Sequence, residues 1–283
     1  MAARPKSIVM LAEDFDWSID PKGLLMSEKL DGRRATWRDG RLVSRYGNRI
    51  AAPAWFVDAL KALPQDFGLD GELWLGRNTY ETLSGVVTVA THRLWKDMAY
   101  VCFDRPGHPA PFAERLRMVE KAVSGLGVPH VRYLPHVVCE GQAHVRESLD
   151  RIVAAGGEGL MFRTPGGAYV EGREENMLKL PHRFTTEAEV IGYEESRKMR
   201  GLVGALICRL PNGVIFEVGT GLTMVQRGMA RPPVGSEITF SYKGLMQSGI
   251  PREPSFIAVR TMPRKPGPAK TRGSRRAREA RAG

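Results

Sequence analysis

Cysteine is scarce: Cys102, Cys139 and Cys208 are the three in 283 residues, and they form no C-x-x-C pair. That spacing argues against a structural zinc site, and Cys102 and Cys208, set in apolar runs, read as small buried side chains. Long apolar runs are also missing. Nothing approaches the roughly 18 residues of a membrane span. The N-terminal apolar run covers only residues 8–12, too short for a leader, which needs about 7–15 apolar residues and a cleavage site. The expectation is a cytoplasmic protein with no membrane partner. No internal repeat is present, and Gly219-Thr220-Gly221 lacks the strand–loop–helix context of a phosphate loop, so it reads as a turn.

What is there is a globular composition, 42% hydrophobic and 26% charged, long enough for one large or two modest domains. The net charge is +11 and unevenly placed. Residues 264–283 hold eight Lys/Arg against Glu279 alone, a charge of +7 that leaves +4 for the rest. With Pro266, Gly267 and Pro268 and no apolar periodicity, residues 263–283 read as a disordered basic tail. Such an arm suits nucleic acid, with affinity that falls steeply with salt; the alternative is a solubilising extension.

Residues 24–50 read as short strands, with Asp39-Gly40 marking a hairpin. A short helix is expected over 53–63, strands over 70–75, 98–103 and 158–163, and helices after Pro111 and around Val145–Val153, the latter ended by Gly156-Gly157. From Ala188 onward only strands are expected, five in about 75 residues, as in a small sandwich or barrel. The expected organisation is a mixed α/β domain over 1–184, a small all-β domain over 185–262 and a hinge at about 184–187.

The most informative stretch is Ser27-Glu28-Lys29-Leu30-Asp31-Gly32-Arg33-Arg34, a K-x-D-G-x-R pattern. A lysine amine is normally protonated, with a pKa of about 10.4, and attacks an electrophile only where its site removes that proton. Further charged motifs come after it in order, each on a strand or at its end. They are Ser44-Arg45-Tyr46-Gly47-Asn48, Asp70-Gly71-Glu72, Phe103-Asp104, Glu158 through Arg163, and Leu178-Lys179-Leu180. In this ordered set the chain resembles the covalent nucleotidyltransferase superfamily of DNA ligases, RNA ligases and capping enzymes. Within it, the chain is similar to the minimal two-domain ATP-dependent DNA ligases of bacteria and phage. The resemblance spans residues 7–262 and includes 42–56, 69–76 and the segment from Gly244-Leu245 through Pro251-Arg252 to Ser255-Phe256.

The resemblance implies an α+β fold. A nucleotidyltransferase (ATP-grasp-like adenylation) domain of antiparallel sheets with flanking helices would precede an OB-fold barrel. It implies sealing of 5′-phosphate/3′-hydroxyl nicks in duplex DNA by a monomer, through a lysyl-AMP intermediate and a DNA-adenylate. Lys29 would be the nucleophile, with Arg34 and Lys179 on phosphate oxygens and Arg45 near sugar or phosphates. Phe103 would stack on adenine and Glu28 would read its edge. Glu72 and Glu158 would hold Mg²⁺ or Mn²⁺, or Glu72 the ribose. Arg197, Lys198 and Arg200, between the first two strands of the second domain, and Lys243 and Arg252 are candidates for DNA contact; the alternative for the first three is a solvated turn. Repair, recombination, end joining and phage replication are all compatible.

One departure stands out. The family's Leu-Lys-x-Lys motif carries a second lysine where this chain has Pro181. The loss of one charge-assisted phosphate contact is worth about 1.5–3 kcal/mol, and Arg183, His182 or a basic residue of the second domain is expected to compensate. An RNA ligase or guanylyltransferase is the alternative among enzymes, separated by whether ATP or GTP labels the protein. A non-catalytic nucleic-acid-binding relative would bind DNA in a salt-sensitive way without any lysyl-AMP.

Overall fold

The computed structural model describes residues 6–261, so the basic tail expected over 263–283 lies outside the described residues. The chain divides into two compact units, Met1–His182 and Arg183–Gly283.

The first unit contains two five-stranded sheets. One is ordered β1 (Met10–Asp14), β10 (Gly172–Pro181), β9 (Gly159–Arg163), β2 (Leu25–Glu28), β8 (Val137–Val138). The other runs β4 (Arg41–Ser44), β3 (Arg33–Arg38), β5 (Leu69–Trp74), β6 (Ala99–Asp104), β7 (Val131–Tyr133). Antiparallel pairing dominates, but β1–β10 and β6–β7 are parallel, so both sheets are mixed rather than antiparallel throughout. These two strands close their pairs after long excursions through other elements, which lets them enter in either direction.

The β3–β4 hairpin forms where Asp-Gly signals it: Asp39 (φ 50°) and Gly40 (φ 71°) both take the positive φ that a type I′ turn demands. The helices expected after Pro111 and around Val145 are α3 (Phe112–Gly125) and α4 (Gln142–Ala154). The expected helix over 53–63 is α1 (Ala54–Asp58) continued by a 3-10 turn, Ala59–Ala62. A further helix, α2 (Tyr80–Val86), is not expected from the sequence; its Gly85 and β-branched Thr82 and Val86 obscure the helical signal. The larger core lies on the second sheet, with Trp37, Phe56, Leu69, Leu73, Trp95 and Tyr100 at its centre. A smaller one, including Met26, Val145, Leu160 and Phe162, joins α4 to the first sheet.

The second unit is a five-stranded antiparallel sheet ordered β13 (Ile215–Val218), β12 (Val203–Arg209), β11 (Phe184–Glu195), β14 (Glu237–Tyr242), β15 (Ser255–Thr261). Val190, Leu206, Cys208, Val218, Ile238 and Phe240 fill its core. The sheet is OB-like but does not close into the expected barrel by a continuous ladder. Its outer edges are tied by a parallel bridge, Thr220–Ser255, with the Phe256 amide donating to the Thr220 carbonyl at 2.9 Å. Gly221, at φ 85°, permits this: a Cβ there would lie 2.3 Å from the Phe256 carbonyl oxygen. The expectation of strands only is corrected by a one-turn helix, α5 (Met224–Arg227), held by a Thr223/Gln226 capping box. The segment expected as a hinge, 184–187, is the start of β11, paired with β14 from Phe184–Tyr242 to Glu187–Thr239.

Candidate active site

Lys29 follows the last residue of β2 and is fixed by its backbone: its amide donates to the Gly159 carbonyl at 2.8 Å. Its amine sits 2.5 Å from Oε2 of Glu158, whose side chain is only 5% exposed. The two flank strands that pair directly: Lys29 follows β2 and Glu158 precedes β9, with Glu28 opposite Leu160. Gly159 makes this approach possible, because a Cβ there would lie 2.2 Å from the Leu180 carbonyl oxygen and its φ is 147°. On the other side, Gly32 lets the chain pass over β5; a Cβ there would lie 2.6 Å from Cγ of Glu72. Burial pushes the Glu72 carboxyl up to about 7, against the opposing pull of Arg34 and Lys29. Thus Lys29, Glu158 and Glu72, three candidates scattered along the first unit's sequence, are brought together.

Arg34 is placed differently from expectation. Its Nε and Nη2 each donate to Asp70 at 2.6 Å, and its guanidinium lies 4.7 Å from the centre of the Phe103 ring. The fork is therefore spent on a carboxylate that is fully buried, and Arg34 supports the Phe103 face instead of being open to phosphate. Tyr169 completes the arrangement, donating its hydroxyl to Asp70 at 2.6 Å. Phe103 keeps a partly exposed ring on β6, and one of its faces meets Arg34.

Glu28 is likewise taken. Arg77 donates to both of its carboxylate oxygens at 2.8 Å. Lys179 is paired with Asp14 at 2.8 Å, next to it across the parallel β1–β10 pair. Arg45 is exposed in the turn after β4, 5.7 Å from the Tyr46 ring, and approaches none of the other candidates in any described contact. Pro181 opposes Gly159 in the β9–β10 ladder. Arg183, one of its expected substitutes, is turned into the second unit, donating to Ser241 Oγ at 3.0 Å and to the Ser241 and Glu253 carbonyls. That engagement leaves its guanidinium few donors for a phosphate. His182 gives its amide to the Glu158 carbonyl at 2.7 Å.

Sequence reasoning assigned no role to Asp104, which anchors a buried charge cluster. It accepts from Arg115 at 2.7 and 3.1 Å and from Arg163 at 2.7 Å, and Arg115 and Arg163 are almost completely enclosed. Burial alone would raise the Asp104 carboxyl, but the two arginines hold it below its ordinary range. His136 beside them is pushed down to about 4 by burial. The signal was available: Arg115 follows Phe112 by one helical turn on the apolar face of α3. Arg77, Asp70 and Tyr169 were missed because each acts through a residue distant in sequence.

In the second unit, Arg197, Lys198 and Arg200 are exposed on the loop joining β11 to β12. Ser196 shapes that loop, its hydroxyl accepting from the Lys198 and Met199 amides, and Arg197 meets Glu194 only at 3.7 Å. Lys243 pairs with Glu253 at 2.9 Å, and the Arg252 amide donates to the Gly244 carbonyl. Among the described residues no group of three or more His, Cys, Asp or Glu side chains is arranged to hold a metal ion. No helix there is long and apolar enough to cross a membrane.

Residues 196–260 match the family described as DNA ligase OB-like domain. A DNA ligase of Haemophilus influenzae is 31% identical over 232 residues, covering 82% of this chain and 84% of that protein. A solved structure from a structure–function study of Lig E DNA ligases, concerned with DNA binding by a minimal scaffold, aligns with a TM-score of 0.82 and 32% identity. It covers 89% of this chain and 98% of that one. The Chlorella virus DNA ligase-adenylate has the same fold at a TM-score of 0.53 and 21% identity, over 91% of this chain and 100% of that one.

Proposed function

The chain belongs to the DNA ligase family, and from that premise we propose that it seals 5′-phosphate/3′-hydroxyl nicks in duplex DNA with ATP as adenylyl donor and Lys29 as the residue that carries AMP. The observation that supports this most is the contact of Lys29 with the enclosed Glu158, in a strand pair built for close approach.

Oε2 of Glu158 accepts the proton that Lys29 must lose, and it orients the freed amine. The amine attacks the α-phosphorus of ATP; the bond to the bridging oxygen breaks and pyrophosphate leaves. Catalysis of such a transfer is mostly positioning and neutralisation of charge. Lys179, 28% exposed and paired with the exposed Asp14, supplies a cation to phosphate oxygens. Phe103, its far side backed by Arg34, offers a face to the adenine ring. AMP then passes to the 5′-phosphate of the nick, and the 3′-hydroxyl displaces it.

Glu72 and Glu158 fit a hard divalent ion such as Mg²⁺ or Mn²⁺. Two carboxylates with no third His, Cys, Asp or Glu grouped with them among the described residues suit an ion that keeps water and takes phosphate oxygens. When bound, such an ion neutralises phosphate charge. The exposed cations Arg197, Lys198 and Arg200 suit the DNA backbone. We read the protein as a monomer acting in the cytoplasm.

The test is incubation of the full chain with ATP and Mg²⁺, followed by intact mass and peptide mapping. One AMP on Lys29 is expected, and none on a Lys29→Ala variant. A folded wild-type protein, free of prior adenylation, that gains no AMP overturns the proposal. GTP labelling in place of ATP would move the protein to the guanylyltransferases.

A further inference from the structure

The Arg77–Glu28 pair touches none of the reacting atoms, yet it is built with unusual care. Arg77 lies in the turn between β5 and α2, a turn that contains two positive-φ residues, Gly76 (109°) and Asn78 (59°). Thr79 Oγ1 closes it on the Gly76 carbonyl at 2.7 Å. From there the guanidinium reaches two places at once. Nε and Nη2 hold both oxygens of Glu28 at 2.8 Å, and Nη1 donates to the carbonyl of Ala155, the C-terminal cap of α4, at 3.3 Å. The turn packs tightly on the same α4 end, since a Cβ on Gly156 would lie 2.9 Å from the Asn78 amide nitrogen. Likewise a Cβ on Gly157 would lie 2.9 Å from Oε1 of Glu28.

Both anchor points adjoin reacting groups. Glu28 immediately precedes Lys29, and Ala155 stands three residues before Glu158. One guanidinium therefore ties together the segments that deliver the two partners of the 2.5 Å contact. A bidentate guanidinium–carboxylate pair fixes both distance and plane. It also occupies both oxygens of Glu28, so this side chain has little left to offer the edge of a base.

We infer that Arg77 is a positioning residue, which through Glu28 and Ala155 sets Lys29 and Glu158 in register, and that Glu28 serves as its anchor and not as a reader of adenine. The inference rests on the ligase reading of Lys29. A misplacement of about 1 Å at a reacting group costs on the order of 10²-fold in rate.

The experiment is single-turnover formation of lysyl-AMP by the full chain across ATP concentrations, for wild type, Arg77→Ala, Arg77→Lys, Glu28→Ala and the double Ala variant, with a thermal unfolding curve for each. The maximal rate is expected to fall on the order of 10²-fold in Arg77→Ala with little change in the ATP concentration at half-maximum. Glu28→Ala should match it, and the double variant should be no worse than the singles. Arg77→Lys, which restores one bond but not the fork, should recover part of the rate and keeps the test valid if the alanine variants unfold. Overturning results are an unchanged rate in Arg77→Ala and Arg77→Lys, losses that multiply in the double variant, or a Glu28→Ala defect confined to ATP affinity. A wild-type protein without lysyl-AMP overturns the ligase reading itself, whereas a competent wild type with unaffected variants overturns the clamp alone.

Discussion

Replacing Asp104 by asparagine is the sharpest test of how the first unit is held together. The carboxylate faces two guanidinium groups, Arg115 with no exposed side-chain surface and Arg163 at 4%. Asparagine is nearly isosteric, so no cavity opens, but both arginines lose their counter-charge where water does not reach. Removing one partner of a buried ion pair costs about 3–5 kcal/mol, against a total stability of about 5–15 kcal/mol for a domain. At about 2–4 °C per kcal/mol for a domain of this size, the unfolding midpoint should fall by roughly 6–20 °C. The two arginines also set the pH range. They hold the Asp104 carboxyl below its unfolded value of 3.8. The stabilisation is therefore complete above about pH 4 and is lost only as pH falls further. Thermal unfolding at pH 5–8 should show a constant gap between wild type and Asp104→Asn, narrowing below pH 4. A midpoint shift under about 2 °C, or a gap that changes between pH 5 and 8, would refute the claim that Asp104 is the ionised centre of the cluster.

Glu72→Gln should gain stability over wild type as pH rises from about 4.5 through about 7, because the folded carboxyl keeps its proton up to about 7 while the unfolded one loses it near 4.5. Equal pH dependence of the two melting curves would contradict this. Pro181→Lys should speed lysyl-AMP formation, since Arg183 is already committed to Ser241 and Glu253; an unchanged single-turnover rate would mean that the position is dispensable here. Changing Arg197, Lys198 and Arg200 together to alanine should lower the slope of log affinity for nicked duplex against log salt by up to about 3. An unaltered slope would return that loop to the role of a solvated turn.

The elements legible in the sequence were those written in local chemistry. Asp39-Gly40 announced a hairpin, the Phe112–Val123 spacing announced α3, and five alternating runs after Ala188 announced the second sheet. The parallel entries of β1 and β7 were not legible, because strand direction in a sheet depends on partners many residues away. Nor was the bridge that ties Thr220 to Ser255, since the same Gly-Thr-Gly reads as a turn until a second strand lies against it.

For the site, the sequence by itself determined the inventory: a lysine in K-x-D-G-x-R, two later glutamates, an aromatic before an aspartate and a lysine on the last strand before the second unit. Residue type and order carry that information because the chemistry of phosphoryl transfer admits few side chains. Only the tertiary structure decided which charges are free and which are spent. Arg34 and Glu28 look as available in the sequence as Lys29 does, yet Asp70 and Arg77 claim them, and Asp104 holds two arginines that no local pattern connects. Buried charge must find its counter-charge wherever the fold presents one, and that partner is chosen by proximity in space, which the order of residues does not state.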